Sequence, residues 1–176
     1  ARHLAKKFGC KVVVLNLSEA ENKRARKMNR EQGLDHLIDV IDGSFDTIPY
    51  EDNTFDIVWS EDAILHSDNR PKVIQEAARV LKPGGDLIFT DPMQTDNCDE
   101  STLQPVYDRI NLSSLGSPKF YRDACKKEGL KELAFEEMPE NLINHYARVL
   151  KATEENEQKL EGYVSDEYIR NMKKGL

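Results

Sequence analysis

Residues 76–92 read EAARVLKPGGDLIFTDP, and outward from this stretch the rest of the chain falls into place. Its first part closes a helix that begins near Ser67 or Asp68, one of which serves as the cap, with Pro71 in the first turn. The helix runs to Leu81. Lys82-Pro83-Gly84-Gly85 stops it, because proline cannot continue a helix and glycine permits a left-handed turn. A β-rich run, DLIFT over 86–90, follows at once and ends on Asp91.

The same alternation extends upstream. FDIVWS (55–60) reads as a strand introduced by the turn-rich 50–54, and 38–41 as a shorter strand ending at Asp42-Gly43. KVVVLN (11–16) carries three consecutive valines and reads as a buried strand. After it, Ser18 with Glu21 three residues on is a capping-box pattern, and the helix it starts runs to about Gln32 before Gly33. Leu4, Ala5 and Phe8 share a helical face at the start of the chain, closed by Gly9. Short strands alternating with longer helices imply an α/β fold, a Rossmann-like doubly wound and mostly parallel sheet. Beyond Asp91 the pattern becomes helical, over 101–115, 119–128 and 140–160, with a strand expected over 130–137. A final helix, capped by Ser165 or Asp166, ends at Gly175. In an open parallel sheet, ligands bind at the carboxyl ends of the strands, so Asn16, Asp42, Ser60 and Asp91 are expected to face one crevice.

The chain has 176 residues, enough for one domain with a real core. Its net charge of −7 argues against general attraction to phosphate backbones or anionic lipid, so neither nucleic acid nor membrane is expected as a partner. No apolar run approaches the length of a membrane span. Cys10, Cys98 and Cys125 are distant from one another, with no metal-ligand spacing, so no metal site is expected. Reduced thiols and a cytoplasmic location are the simplest account. Oligomeric state is left open. No strand precedes the first helix and no glycine-rich loop is present, so the expectation is a fragment lacking its first strand. It would form a single domain over 1–176, an alternating α/β part over 1–92 followed by a mainly helical part over 93–176.

With these motifs in order, the chain resembles the class I S-adenosylmethionine-dependent methyltransferases. The resemblance rests on VVVLNLS (12–18), DGSFDTIPYEDNTFD (42–56), FDIVWSEDA (55–63) with His66, and RVLKPGG before DLIFTDP. WSEDAILHS (59–67), FTDPMQ (89–94) and INLSSLGSPKFYRDACKKEGL (110–130) look more narrowly like the sarcosine/dimethylglycine N-methyltransferases that make glycine betaine. The resemblance implies S-adenosylmethionine as cofactor and a small amine as substrate, with 1–92 as the cofactor-binding part, 93–176 as the substrate-covering part, and a last hairpin of the sheet that this stretch of chain lacks. It implies cofactor contacts from Asn16 and Leu17 after the first strand read here. Asp42, Gly43, Ser44 and Phe45 would follow the second, and Ser60 and Glu61 would end the third. The family usually has Asp or Glu where Asn16 stands, and asparagine cannot supply the charged acceptor. Methyl transfer to nitrogen needs an unprotonated amine, for which His66 and Asp62 are the candidate catalytic groups. Arg109, Lys119 and Arg148 are available for a substrate carboxylate. Tyr107, Tyr121 and Tyr146 could face a quaternary ammonium, though tyrosines in a helical region are more often core. Another methyl acceptor, such as phosphoethanolamine or a lipid, and a non-catalytic Rossmann-like module are the competing readings.

Overall fold

The computed structural model describes residues 1–110, 112–160 and 164–175; the side chains at 100, 109, 110, 166, 171, 172, 174 and 175 are not among what it describes. Two compact units result, Ala1–Phe89 and Thr90–Leu176. Among the described residues no helix is long and apolar enough to cross a membrane.

The first unit opens with helix α1 (Arg2–Phe8), closed by Gly9 at φ 63°, whose N–H donates to Ala5 O. Strand β1 (Val12–Asn16) leads to helix α2 (Glu19–Glu31) and then strand β2 (Ile38–Asp42). β1 and β2 pair in parallel, in a register running from Val12 opposite Ile38 to Asn16 opposite Asp42. The Ser18 hydroxyl accepts from Glu21 N at 3.3 Å and caps α2 as its sequence requires. Ala5, Leu34, Ile38 and Val40 form the core here, with Val12, Val14, Ala25 and Leu37 packed against it. β1 is half-buried along its length rather than fully buried. β2, α2 and the core around Ala5 pack against it and cover it only in part.

Strands β3 (Phe55–Glu61) and β4 (Leu81–Thr90) make a second pair, and no pairing joins it to β1–β2 among the described residues. Between them lie a 3₁₀ turn (Ile64–His66) and helix α3 (Arg70–Val80), which buries Val73, Ile74, Ala77 and Val80. The cap of α3 is Asn69, one residue beyond the expected pair, and its side chain accepts from Lys72 N. Ser67 is occupied otherwise, as described below. β4 starts five residues earlier than its apolar run, taking in Lys82 to Gly85. Glycine is required at 85, where a Cβ would stand 2.8 Å from Asp56 O on β3.

The second unit is helical: α4 (Glu100–Ile110), α5 (Pro118–Lys127), α6 (Pro139–Leu160) and α7 (Asp166–Gly175). The strand expected over 130–137 does not form; residues 131–138 carry no regular structure and are exposed, Leu133 by 78%. A strand needs a partner's backbone groups, and none pairs with this segment among the described residues. Side chains hold it instead. Arg122 of α5 donates from Nε to Glu132 at 2.7 Å and lays its guanidinium over the Phe135 ring.

A buried ion network shapes the loop between β2 and β3. Glu76 on α3 is buried and accepts from Arg79, from Ile48 N and from Lys72. Arg79 in turn donates to the carbonyls of Ile48 and Tyr50 and to Asp52. The Arg79 hydrogen bonds hold the Glu76 carboxyl down to about 2 against the opposing effect of burial. A depressed carboxyl stabilises the fold above its ordinary value, and that contribution is lost as pH falls toward 2. We therefore expect Glu76→Gln to lower stability near neutral pH by about 3 kcal/mol. In chemical denaturation of the intact protein the gap to wild type should shrink steadily below about pH 4. A gap independent of pH would refute the assignment.

Candidate functional site

The parallel register brings the ends of β1 and β2 together, and with them most of the residues expected to hold a cofactor. Asn16 stands opposite Asp42, and Gly43 N donates to Asn16 O at 3.2 Å. A Cβ at Gly43 would come within 2.9 Å of Leu15 Cδ1, so the backbone approaches closely there. Ser44 and Phe45 follow, both half-buried, while Leu17 is 68% exposed beside Asn16.

Three residues of α2 build this corner: Asn22 and Arg26, which the sequence reading passed over, and Glu21, which it took only as a capping partner. Asn22 is 1% exposed, and its Nδ2 donates to Asn16 O at 2.8 Å and to Asp42 Oδ1 at 2.7 Å. Arg26 Nη2 reaches Val40 O at 2.8 Å and Asp42 Oδ2 at 2.6 Å. Asn22, and then Arg26, hold the Asp42 carboxyl below its ordinary range. Each Asp42 oxygen thus has one internal donor and keeps accepting capacity for a ligand. Glu21 is the third: Asn16 Nδ2 donates to its Oε2 at 2.7 Å. Ser18, Asn22 and Arg26 recur every four residues on one helical face. That polar stripe toward the strands was the available signal.

Ser60 and Glu61 end β3, and Glu61 accepts from the Trp59 indole at 3.0 Å. Asp62 follows at φ 47°, a left-handed conformation that aspartate tolerates better than most residues. His66 ends the 3₁₀ turn with an exposed side chain. Ser67, directly after it, is buried; its hydroxyl donates to Asp46 Oδ1 at 2.9 Å and accepts from Asn69 N. Asp46 N donates to Ser44 Oγ at 3.1 Å. The chain Ser44–Asp46–Ser67 therefore ties the loop after β2 to the loop after β3, and so the two groups of expected site residues to each other. Neither Asp46 nor Ser67 stands out in sequence, since both look like turn residues.

In the second unit, Asp91 follows β4 and takes a short hydrogen bond from the Tyr121 hydroxyl. Tyr107 donates to Gln94 Oε1 at 3.0 Å, and Gln94 N donates to Gly116 O at 3.0 Å. Tyr107 and Tyr121 are both buried, the core placement usual for helical tyrosines, while Tyr146 is half-buried against His145. Of the three cations considered for a carboxylate, Lys119 is paired with Asp123 at 2.5 Å and Arg148 is exposed. The Arg109 side chain lies outside the described residues.

The methyltransferase domain family matches residues 1–89, and the chain belongs to it, with the Rossmann-like α/β fold of class I methyltransferases. Along all 176 residues the chain is 53% identical to the sarcosine/dimethylglycine N-methyltransferase of Halorhodospira halochloris, covering 63% of that protein. It is 51% identical over the same length to the enzyme of the same name from Aphanothece halophytica, covering 64% of it. A Galdieria sulphuraria crystal structure, provisionally assigned as a sarcosine dimethylglycine methyltransferase, superposes with a TM-score of 0.92 at 42% identity. That match covers 99% of this chain and 64% of the other. The chain thus spans somewhat under two thirds of the length of these relatives.

Packing at Gly116 offers a test of the second unit. A Cβ there would lie 2.5 Å from Tyr121 Cε2 and 2.8 Å from Cζ. The ring is buried and held through Asp91, so it cannot swing away cheaply. Gly116→Ala should cost about 1–3 kcal/mol by overpacking, read as a lowered melting temperature. Tyr121→Phe, which keeps the ring and loses the hydroxyl, should cost less. An unshifted Gly116→Ala would show that the ring is not fixed.

Proposed function

We propose that the protein uses S-adenosylmethionine to N-methylate a small amine, with sarcosine and dimethylglycine as acceptors and glycine betaine as the final product. The observation that carries this reading is the similarity of more than 50% identity, unbroken over 176 residues, to two enzymes bearing that name. The chemistry of the strand ends supports it. A nucleoside presents ribose hydroxyls and an adenine amino group, all donors, and the corner where β1 and β2 end is rich in acceptors with a close-approach glycine. The residues present therefore fit such a cofactor, and the compact unit Ala1–Phe89 serves as its binding part.

In this reading Asn16 stands on the ribose side, Leu17 packs on the adenine side, and Asp42, with Gly43, Ser44 and Phe45, receives the adenine. Ser60 and Glu61 line the approach at the end of β3. When bound, S-adenosylmethionine supplies a methyl group activated by a sulfonium. The protein's own task is then to hold the amine in line and to take its proton, since a methylamine in water is mostly protonated. His66 and Asp62, four residues apart on the loop after β3, are the groups for this. His66 accepts the proton, and the Asp62 carboxylate favours the positive charge that grows on nitrogen. The second unit serves the substrate side. The reaction takes place in the cytoplasm on dissolved amines, with no nucleic acid, membrane or metal involved.

The intact protein incubated with S-adenosylmethionine should convert sarcosine to dimethylglycine and dimethylglycine to betaine, followed by mass spectrometry. Product from phosphoethanolamine but from neither amine would overturn the acceptor assignment, and no cofactor binding at all would overturn the enzyme. His66→Ala should lower kcat by roughly 10²–10⁴-fold. That deficit should narrow as pH rises and the amine sheds its own proton; a deficit constant with pH would remove His66 as the acceptor. Asp42→Ala should instead weaken cofactor binding by about tenfold or more, with a smaller effect on kcat.

A further inference from the structure

The site as read from sequence lacks one group. The strand-end position that normally offers ribose a carboxylate holds Asn16, whose amide has a single acceptor oxygen. In the structure that oxygen already accepts from Ser18 N at 3.2 Å. Asn16 Nδ2 points the other way and donates to Glu21 Oε2 at 2.7 Å.

Glu21 occupies the place in α2 where a capping box would turn its carboxylate back onto the N–H of the cap residue, Ser18. Here only half of the box forms. Ser18 Oγ accepts from Glu21 N, but the N–H of Ser18 is taken by Asn16. The Glu21 carboxylate is therefore released from capping and held beside the end of β1 by the Asn16 amide. The next residue, Asn22, is buried and bonded to Asn16 O and Asp42 Oδ1, which fixes this first turn of α2 against both strand ends. Glu21 itself is exposed, so its second oxygen is open to a ligand in the same corner.

From this geometry we infer that Glu21 supplies the carboxylate for the ribose hydroxyls of the cofactor, with Asn16 as the residue that orients it. The acid stands on the helix after the strand rather than at the strand end, and the ligand class is a nucleoside with a free 2′,3′-diol. The inference rests on the cofactor reading above and adds a binding residue to it.

The test uses the intact protein and S-adenosylhomocysteine, which binds without reacting, titrated by calorimetry. Glu21→Ala should weaken binding about 10- to 100-fold, the loss expected for hydrogen bonds to a charged group. Glu21→Gln, which keeps shape and one acceptor, should lose less. Adding Asn16→Asp to Glu21→Ala should restore most of the affinity, because it returns the acid to the strand. Asn16→Asp alone should weaken binding, since two carboxylates would then compete at hydrogen-bond distance. An analogue lacking the 2′-hydroxyl should bind wild type poorly and Glu21→Ala no worse than the natural ligand does. Unchanged affinity in Glu21→Ala would overturn the inference, as would a loss equally large for the deoxy analogue. Melting temperatures of the variants separate either result from unfolding. Wild type that binds no S-adenosylhomocysteine would instead bring down the cofactor reading itself.

Discussion

The side-chain amide of Asn22 stands where α2, β1 and β2 meet, and the geometry of the candidate site depends on it. It is nearly inaccessible to solvent and donates to the last carbonyl of β1 and to the carboxylate that ends β2. An apolar residue of similar volume would leave both acceptors short of a partner, at about 1–3 kcal/mol for each group that stays buried. A longer polar residue would push α2 off the sheet. The parallel register puts Asn16 opposite Asp42, but the amide is what keeps the helix that carries Glu21 and Arg26 close to both.

Outside that corner the site is braced by directional polar bonds more than by apolar packing. The loop from Asp42 to Thr54 is held near its start by Ser44, Asp46 and Ser67, and toward its end by Glu76 and Arg79, which grip Ile48, Tyr50 and Asp52. Such bonds fix direction as well as distance. They suit a segment that must hold a fixed shape yet stay near the surface, where apolar burial is not available to it. The same logic recurs in the second unit, where Asp91 and Gln94 after β4 are tied by buried tyrosines of α5 and α4. His66 and Asp62 sit in a loop whose ends are fixed on one side by β3 and on the other by buried Ser67.

Strands and helices with strong local signals were legible in sequence. The valine run gave β1, the serine cap gave the start of α2, and the proline and glycines after α3 marked its end. Where the outcome hung on a partner rather than on local preference, sequence was a poor guide. Residues 130–137 read as a strand, but half of them are charged, Arg122 takes Glu132 and Phe135, and no edge pairs with them among the described residues. Asn69 replaced Ser67 as the cap of α3 because Ser67 is drawn to Asp46, a contact 21 residues back along the chain. The strand-end residues were found as positions, since a parallel sheet dictates where they fall. What holds them was not, because Asn22 and Arg26 look like an ordinary polar helix face, and Glu21 like a capping partner, until the strands beside them are known.

The arrangement of charge at that corner has an internal logic. Asp42 is neutralised in place by Arg26, with Asn22 on its other oxygen, so its carboxylate stays ionised and aimed without leaving an unpaired charge. An aspartate at position 16 would sit opposite it in the register and within reach of Glu21 as well. Carboxylates so close raise one another's affinity for protons, and a protonated acid is a poorer acceptor for a hydroxyl. Asparagine avoids this conflict: its oxygen satisfies Ser18 N, and its amine end fixes Glu21. A ribose diol and an adenine amino group are both neutral donors, and they need aimed acceptors rather than accumulated charge. One carboxylate held by an amide and another held by a guanidinium meet that need with less mutual repulsion than three acids in the same space.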